Sequence, residues 1–333
     1  MAMLIAYLMD ETPTCTATQT HSLYGGLWID RPDWPQTLAA KTAAGAITAA
    51  CATLIGDFVR DGFVILKNAA NPGAVDAFQA QINQAFRQGN PDVFYQHHGI
   101  GQTQHLSKPV DRLGTRVVDS FVALPQALDL FVSPALLSFL TAIFAAPPLL
   151  FQSLSFDQGS QQGLHQDTAY VVVDQPLELA ACWIALQDVQ PGSGELIYVP
   201  GSHRFPDFAF GGHKKHWNAE DDGQAVHDTW SRWIHEEAAK RGLPVQHFLP
   251  QKGDILIWHA DLAHGGAVVE NTALSRQSLV GHFCPATRRP RYFDHGAKRD
   301  TTRESNGLFY ASEHYNLAKR RRLVRVLDRL RGK

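Results

Sequence analysis

At 333 residues, 44% of them hydrophobic and 19% charged, the chain has room for about two domains or for one large β domain with insertions. A chain of this size buries a full core without disulfides or structural metals, and its 10% aromatics and 18 prolines argue against a helical bundle or a disordered protein. The 30 basic and 32 acidic residues leave a net charge of -2, so no nucleic-acid partner is expected. The charge is uneven all the same: residues 286–333 hold 14 Lys and Arg against 5 Asp and Glu. Cys15, Cys51, Cys182 and Cys284 are far apart and form no Cys-x-x-Cys pair, which fits reduced thiols in a cytoplasmic protein. The apolar opening Met1–Met9 has no basic flank and makes a poor signal peptide. Lys41 and Asp57 interrupt the Ala-rich run 37–58, so no membrane span is expected.

In chain order, residues 1–36 read as an irregular N-terminal arm and 37–61 as an Ala-rich helix. Asp61-Gly62 punctuates the chain before a short buried strand, Phe63–Leu66. Asn71-Pro72 opens a helix to about Arg87 that places Val75, Phe78, Ile82 and Phe86 on one face. Residues 88–122 read as loop, and Pro125 to Ala145 as helix, ended by Pro147-Pro148. Strands are then expected at Leu149–Phe156, Ala169–Val173, Leu179–Gln187, Glu195–Val199, Asp254–His259 and Ser278–Cys284. Residues 205–250 interrupt them with a polar, aromatic-rich insert whose 228–242 portion looks helical, and Leu317–Leu330 reads as a basic terminal helix. Helices first and strands afterwards define an α+β chain with a β-sandwich or small barrel in its second half.

The chemistry starts at Gly163-Leu-His165-Gln-Asp167-Thr-Ala-Tyr170. Residues two apart on extended backbone point the same way, so His165 and Asp167 can take adjacent positions on an octahedral metal; alone, the pair reads more often as a surface hydrogen bond. The segment from Gly253 to Gly266 offers a third ligand in His259 or His264. His259 ends a strand and reads equally as a core histidine, whereas His264 precedes Gly265-Gly266, where little bulk crowds a ligand. Two histidines and a carboxylate leave three positions open, as in non-haem Fe(II) oxygenases, while a closed zinc site wants four ligands. Twelve residues on, Arg276 offers a planar fork for a carboxylate and Ser278 a hydroxyl on the same side, a combination that suits 2-oxoglutarate.

With these pieces in order, the chain resembles the phytanoyl-CoA dioxygenase family of Fe(II)/2-oxoglutarate oxygenases over about residues 55–285. The resemblance rests on Phe58–Leu66, His165-x-Asp167, Trp183–Leu186, Gly194–His203, and Gly253–His259 with His264 and Arg276 behind it. It implies a double-stranded β-helix (jelly-roll, cupin-like) core with flanking N-terminal helices and an inserted lid. The oxygenase domain would span 37–285 with the lid at about 205–250, and 286–333 would form a basic C-terminal extension. It assigns His165, Asp167 and His264 to iron, Arg276 to the distal carboxylate of 2-oxoglutarate, and Gln152 to a polar contact with that co-substrate. The implied reaction consumes O2 and 2-oxoglutarate, releases succinate and CO2, and hydroxylates an unactivated C–H bond of a small molecule.

Tyr170 would face substrate or cap its strand, and Trp183 would wall the iron pocket or serve as a plain core residue. His203 reads as structural. His213-Lys-Lys-His216-Trp217, Trp230 and Trp233 in the insert suit an anionic or sugar-like substrate, or else a solvated lid. The competing classes are a non-catalytic jelly-roll module that binds sugars or acidic lipids, and a zinc or manganese hydrolase.

Overall fold

A computed structural model describes residues 22–97, 102–291 and 302–317. Helices α1 (Trp34–Ala43) and α2 (Ala49–Asp61) occupy the stretch expected as one helix. Gly45 turns the chain at φ 72°, and Thr48 caps α2 by accepting the Cys51 N–H, so two helices meet where composition suggested one. Strand β1 (Phe63–Leu66) follows, then α3 (Pro72–Gln88), capped by Asn71 and burying Val75, Phe78, Ile82 and Phe86 as its spacing required.

The loop expected at 88–122 is instead an antiparallel ribbon of β2 (Asn90–His97), β3 (Gln104–Leu106) and β4 (Thr115–Val118). In β2 only Val93 is fully buried and most other residues are half-buried, so no clean apolar alternation marks it. Short α4 (Ser120–Ala123) leads into α5 (Pro125–Phe131) and α6 (Pro134–Phe144), which are separate because Pro134 starts a new helix at a 60° bend. Among the described residues no single helix is long and apolar enough to cross a membrane.

The β half comprises β5 (Pro148–Phe156), β6 (Ala180–Ala185), β7 (Leu196–Tyr198), α7 (Ala219–Lys240), β8 (Gln246–Phe248), β9 (Ile255–His259), β10 (His264–Gly266), β11 (Ser278–Pro285), β12 (Arg303–Ser305) and β13 (Leu308–Tyr310). The strand expected at 169–173 is absent: Asp167–Ala169 form a 3-10 turn, and Val173 makes only an isolated bridge to Pro290. Helix α7 begins nine residues before the expected 228, behind an Asn218 cap, with a break at Gly223 (φ 74°). The expected terminal helix 317–330 lies almost wholly outside the described residues.

The large sheet runs β1-β9-β6-β11-β5-β4-β2-β3, with β13 added parallel to β5 and paired with β12, and a small sheet runs β10-β7-β8. Alternation along the central strands divides the core. Ala180, Cys182, Ile184, Ile255, Ile257 and Leu279 face the helices. Ala181, Trp183, Ala185, Leu256, Trp258 and Val280 face inward, against Leu196, Tyr198 and Phe248 of the small sheet. Two sheets enclosing this second face make the jelly-roll, and the functional residues lie between them.

Candidate metal and co-substrate site

Backbone pairing brings the motif halves together. His165 and His264 form an antiparallel bridge, each N–H donating to the other's carbonyl at 2.9 Å. At Gly265 a side chain would strike the Gln162 carbonyl at 2.7 Å, so the residue after His264 has to be small. Both imidazoles are fixed from behind: His165 Nδ1–H donates to the Gly163 carbonyl and His264 Nδ1–H to the Leu262 carbonyl, each at 2.9 Å. A carbonyl can only accept, so both Nε2 atoms are left with lone pairs facing the centre. Asp167 Oδ1 lies 3.9 Å from His165 Nε2 and 3.6 Å from His264 Nε2, and one ligand atom from each residue falls within 4.8 Å of the others.

The electrostatics suit a metal. Burial, then the neighbouring His264, pushes His165 down to about 3, so its ring is neutral at ordinary pH. Burial alone would raise Asp167, but His264, His282 and His165 outweigh it and hold the carboxyl below its usual range. The turn is braced on its far side. Thr168 donates to Asp261 Oδ1 at 2.5 Å, Gln166 to the Asp261 carbonyl at 2.9 Å, and buried Lys215 to Asp261 Oδ2 at 2.6 Å.

An inner cavity of about 70 Å³ joins the three residues to Trp183, Arg276 and His282. Arg276 is 3% exposed, stands 5.7 Å from the Phe156 ring and 5.4 Å from that of Trp183, and has no partner at Nε. Burial pushes it down to about 10, with Glu195 acting in the opposite direction. The Ser278 hydroxyl is likewise buried without a partner. Such an orphaned buried cation beside an open His-Asp-His face fits a co-substrate that brings its own carboxylate.

An outer chamber of about 530 Å³ opens from the triad, lined by Gln96, Arg116, Gln152, Gln162, Glu313 and His314 among others. Gln152 thus lines the chamber, and Trp183 stands beside Arg276. Tyr170 lines the chamber too, but its hydroxyl is 2.6 Å from His227 Nε2 of α7. His259 lies outside the triad: its Nδ1 accepts the Asp261 N–H and its Nε2 is 3.4 Å from Asp30 Oδ2. His203 donates from Nε2 to the Val59 carbonyl. These two histidines line a separate cavity of about 470 Å³ that shares no residue with the triad. Within the insert, Lys214 pairs with Asp222, Lys215 is buried between Asp207 and Asp261, and Trp230 is a core residue. His282 and Trp258 were missed as site residues. Yet His282 shares strand parity with Arg276 and Ser278, and that alternation was available in the sequence.

A jelly-roll carrying this open triad is the architecture of an iron-dependent oxygenase. The Phytanoyl-CoA dioxygenase (PhyH) family profile matches residues 58–278. The chain belongs to the phytanoyl-CoA dioxygenase family of Fe(II)/2-oxoglutarate-dependent oxygenases. It is 23% identical over 249 residues to the peroxisomal phytanoyl-CoA dioxygenase of Rattus norvegicus, covering 68% of this chain but 66% of that protein, just under two thirds. The Homo sapiens enzyme is 23% identical over 245 residues, with 69% of this chain and 67% of that one covered.

Among solved structures, the fold is similar to the α-ketoglutarate-dependent carbocyclase SnoK of nogalamycin biosynthesis (TM-score 0.57, 16% identity, 78% of this chain and 95% of that one). It is also similar to the epimerase SnoN in complex with Fe3+, α-ketoglutarate and nogalamycin RO (TM-score 0.55, 20% identity, 79% and 98%).

Proposed function

We propose that this protein is an Fe(II)/2-oxoglutarate-dependent dioxygenase that hydroxylates a C–H bond of a small polar molecule. The observation that carries the reading is the convergence, in one cavity, of three metal-competent side chains and a buried guanidinium with an unpartnered Nε. His165 and His264 through Nε2, and Asp167 through a carboxylate oxygen, would hold Fe(II), and Arg276 with Ser278 would hold the distal carboxylate of 2-oxoglutarate. Bound there, iron and 2-oxoglutarate supply O2 activation, with release of succinate and CO2. The chain's own part is to keep one metal face open, exclude bulk water by burial, and present the substrate's C–H bond from the outer chamber.

The chamber lining supports a hydroxyl- or amide-bearing, sugar-like substrate over a long acyl chain. Gln152, Gln158 and Gln162 line the chamber beside Leu154, Phe156 and Val171, Arg116 and Glu313 add one charge of each sign, and Gln96 is held by Arg116 and Thr103. Residues 205–250 are read as a lid, tied to the site by the Tyr170–His227 hydrogen bond. Among the described residues, the buried free thiols of Cys51, Cys182 and Cys284 support a reducing compartment such as the cytoplasm. The test is succinate release from 2-oxoglutarate in the presence of Fe(II), O2 and a panel of polar metabolites alongside phytanoyl-CoA. Stimulation by a polar compound, lost in His165→Ala, is expected; stimulation by phytanoyl-CoA alone would overturn the substrate reading.

A further inference from the structure

The two oxygens of the Asp167 carboxylate have unlike surroundings. Oδ1 faces His165 and His264. Oδ2 accepts a hydrogen bond from the Trp258 indole Nε1 at 2.8 Å, and His282 Nε2 lies 3.5 Å from it. A single row across the large sheet explains this. Phe63 opposes Trp258, Trp258 opposes Ala181, Ala181 opposes His282, and His282 opposes Gln152. Directly opposed residues share a face, so Trp258 and His282 rise on either side of Ala181, whose single methyl leaves room above it. Trp258 and His282 are 2% and 3% exposed, and Trp258 also packs its ring 4.8 Å from that of His264.

An indole N–H has one donor and no acceptor, and the one hydrogen bond that this donor makes is to Oδ2. Turning Oδ2 toward the metal would orphan that donor. The consequence matters because a carboxylate that binds through both oxygens takes up a further metal position. With one oxygen bound, three positions stay open, enough for a chelating 2-oxo acid and O2.

We propose that Trp258, backed by His282, is a positioning residue that restricts Asp167 to ligation through Oδ1 alone. The inference rests on the reading of His165, Asp167 and His264 as the metal site. Neither residue touches the reacting atoms: both act through Asp167.

The test is metal binding by the full-length chain without turnover, using Co(II) as the probe. Trp258→Phe keeps an aromatic ring of nearly the same shape and deletes the donor. Co(II) affinity should fall by roughly 10- to 100-fold, the usual effect of losing a partner that orients a metal ligand. In an Asp167→Ala background, which retains the two histidines, Trp258→Phe should cause no further loss. A merely structural role would weaken binding equally in both backgrounds. Should Trp258→Phe fail to fold, His282→Leu is taken through the same cycle, with a smaller loss of about three- to tenfold expected from its longer contact. Affinity within about twofold of the parent, or equal losses in the two backgrounds, overturns the proposal. If neither Asp167→Ala nor His264→Ala weakens Co(II) binding, the metal site itself is wrong and the clamp falls with it.

Discussion

Replacing Arg276 with methionine deletes a guanidinium that is 3% exposed, lies between Phe156 and Trp183, and lacks a partner at Nε. Burial pushes this group from its ordinary arginine value down to about 10 despite Glu195. That difference corresponds to a cost on the order of 3 kcal/mol for keeping the folded side chain charged without its ligand. Because the folded value is the lower one, the cost is fully present below about pH 10 and fades as pH rises toward the ordinary arginine range. Methionine fills similar volume with no charge, so without co-substrate the variant should be at least as stable as the parent.

With 2-oxoglutarate the order reverses, since the variant lacks two charge-assisted hydrogen bonds worth about 1.5–3 kcal/mol each. Binding should weaken by roughly 100-fold or more. Thermal unfolding of the Co(II)-loaded proteins checks both halves. The parent's Tm should rise on adding 2-oxoglutarate, while the variant should start no lower and fail to rise. A variant that loses several degrees without co-substrate, or gains the parent's full shift with it, would refute the reasoning.

Burial raises the Asp119 carboxyl from 3.8 to about 7, although it accepts from the Ser153 N–H and the Ser312 hydroxyl. A raised folded value means that its contribution is full below 3.8 and lost as pH rises through about 7. Asp119→Asn should therefore narrow the drop in Tm between about pH 5 and pH 8, and an unchanged drop contradicts this. Tyr170→Phe removes a hydrogen bond to α7 worth about 1 kcal/mol, so amide exchange across 219–240 should quicken by about fivefold. Equal protection in the two proteins would break that tie between insert and site.

Much of the site was legible because strand parity and short motifs are local. His165-x-Asp167, the small residues after His264, and the even spacing of Arg276 and Ser278 each carry their geometry in the sequence. The backbone exchange between His165 and His264 was not legible, since it joins residues nearly a hundred apart. Nor was the use of Lys215, which a count of surface charge offers to a substrate and the fold buries between Asp207 and Asp261. The β2–β4 ribbon escapes a sequence reading because alternation is a signal only where one face is buried, and in β2 and β3 only Val93 and Leu106 are fully buried. His259 shows the reverse limit. A metal-ligand residue type at a strand end is engaged instead by Asp30, more than two hundred residues away.

The central claim is that His165, Asp167 and His264, with Arg276 behind them, hold iron and 2-oxoglutarate together. Anaerobic titration of the protein with Fe(II) and 2-oxoglutarate, followed by the visible absorption that a metal-chelated 2-oxo acid produces, tests it most directly. The parent and His259→Ala should both develop the band, and His165→Ala and His264→Ala should not. A band that survives in the triad variants, or that disappears in His259→Ala with the protein still folded, would contradict the account.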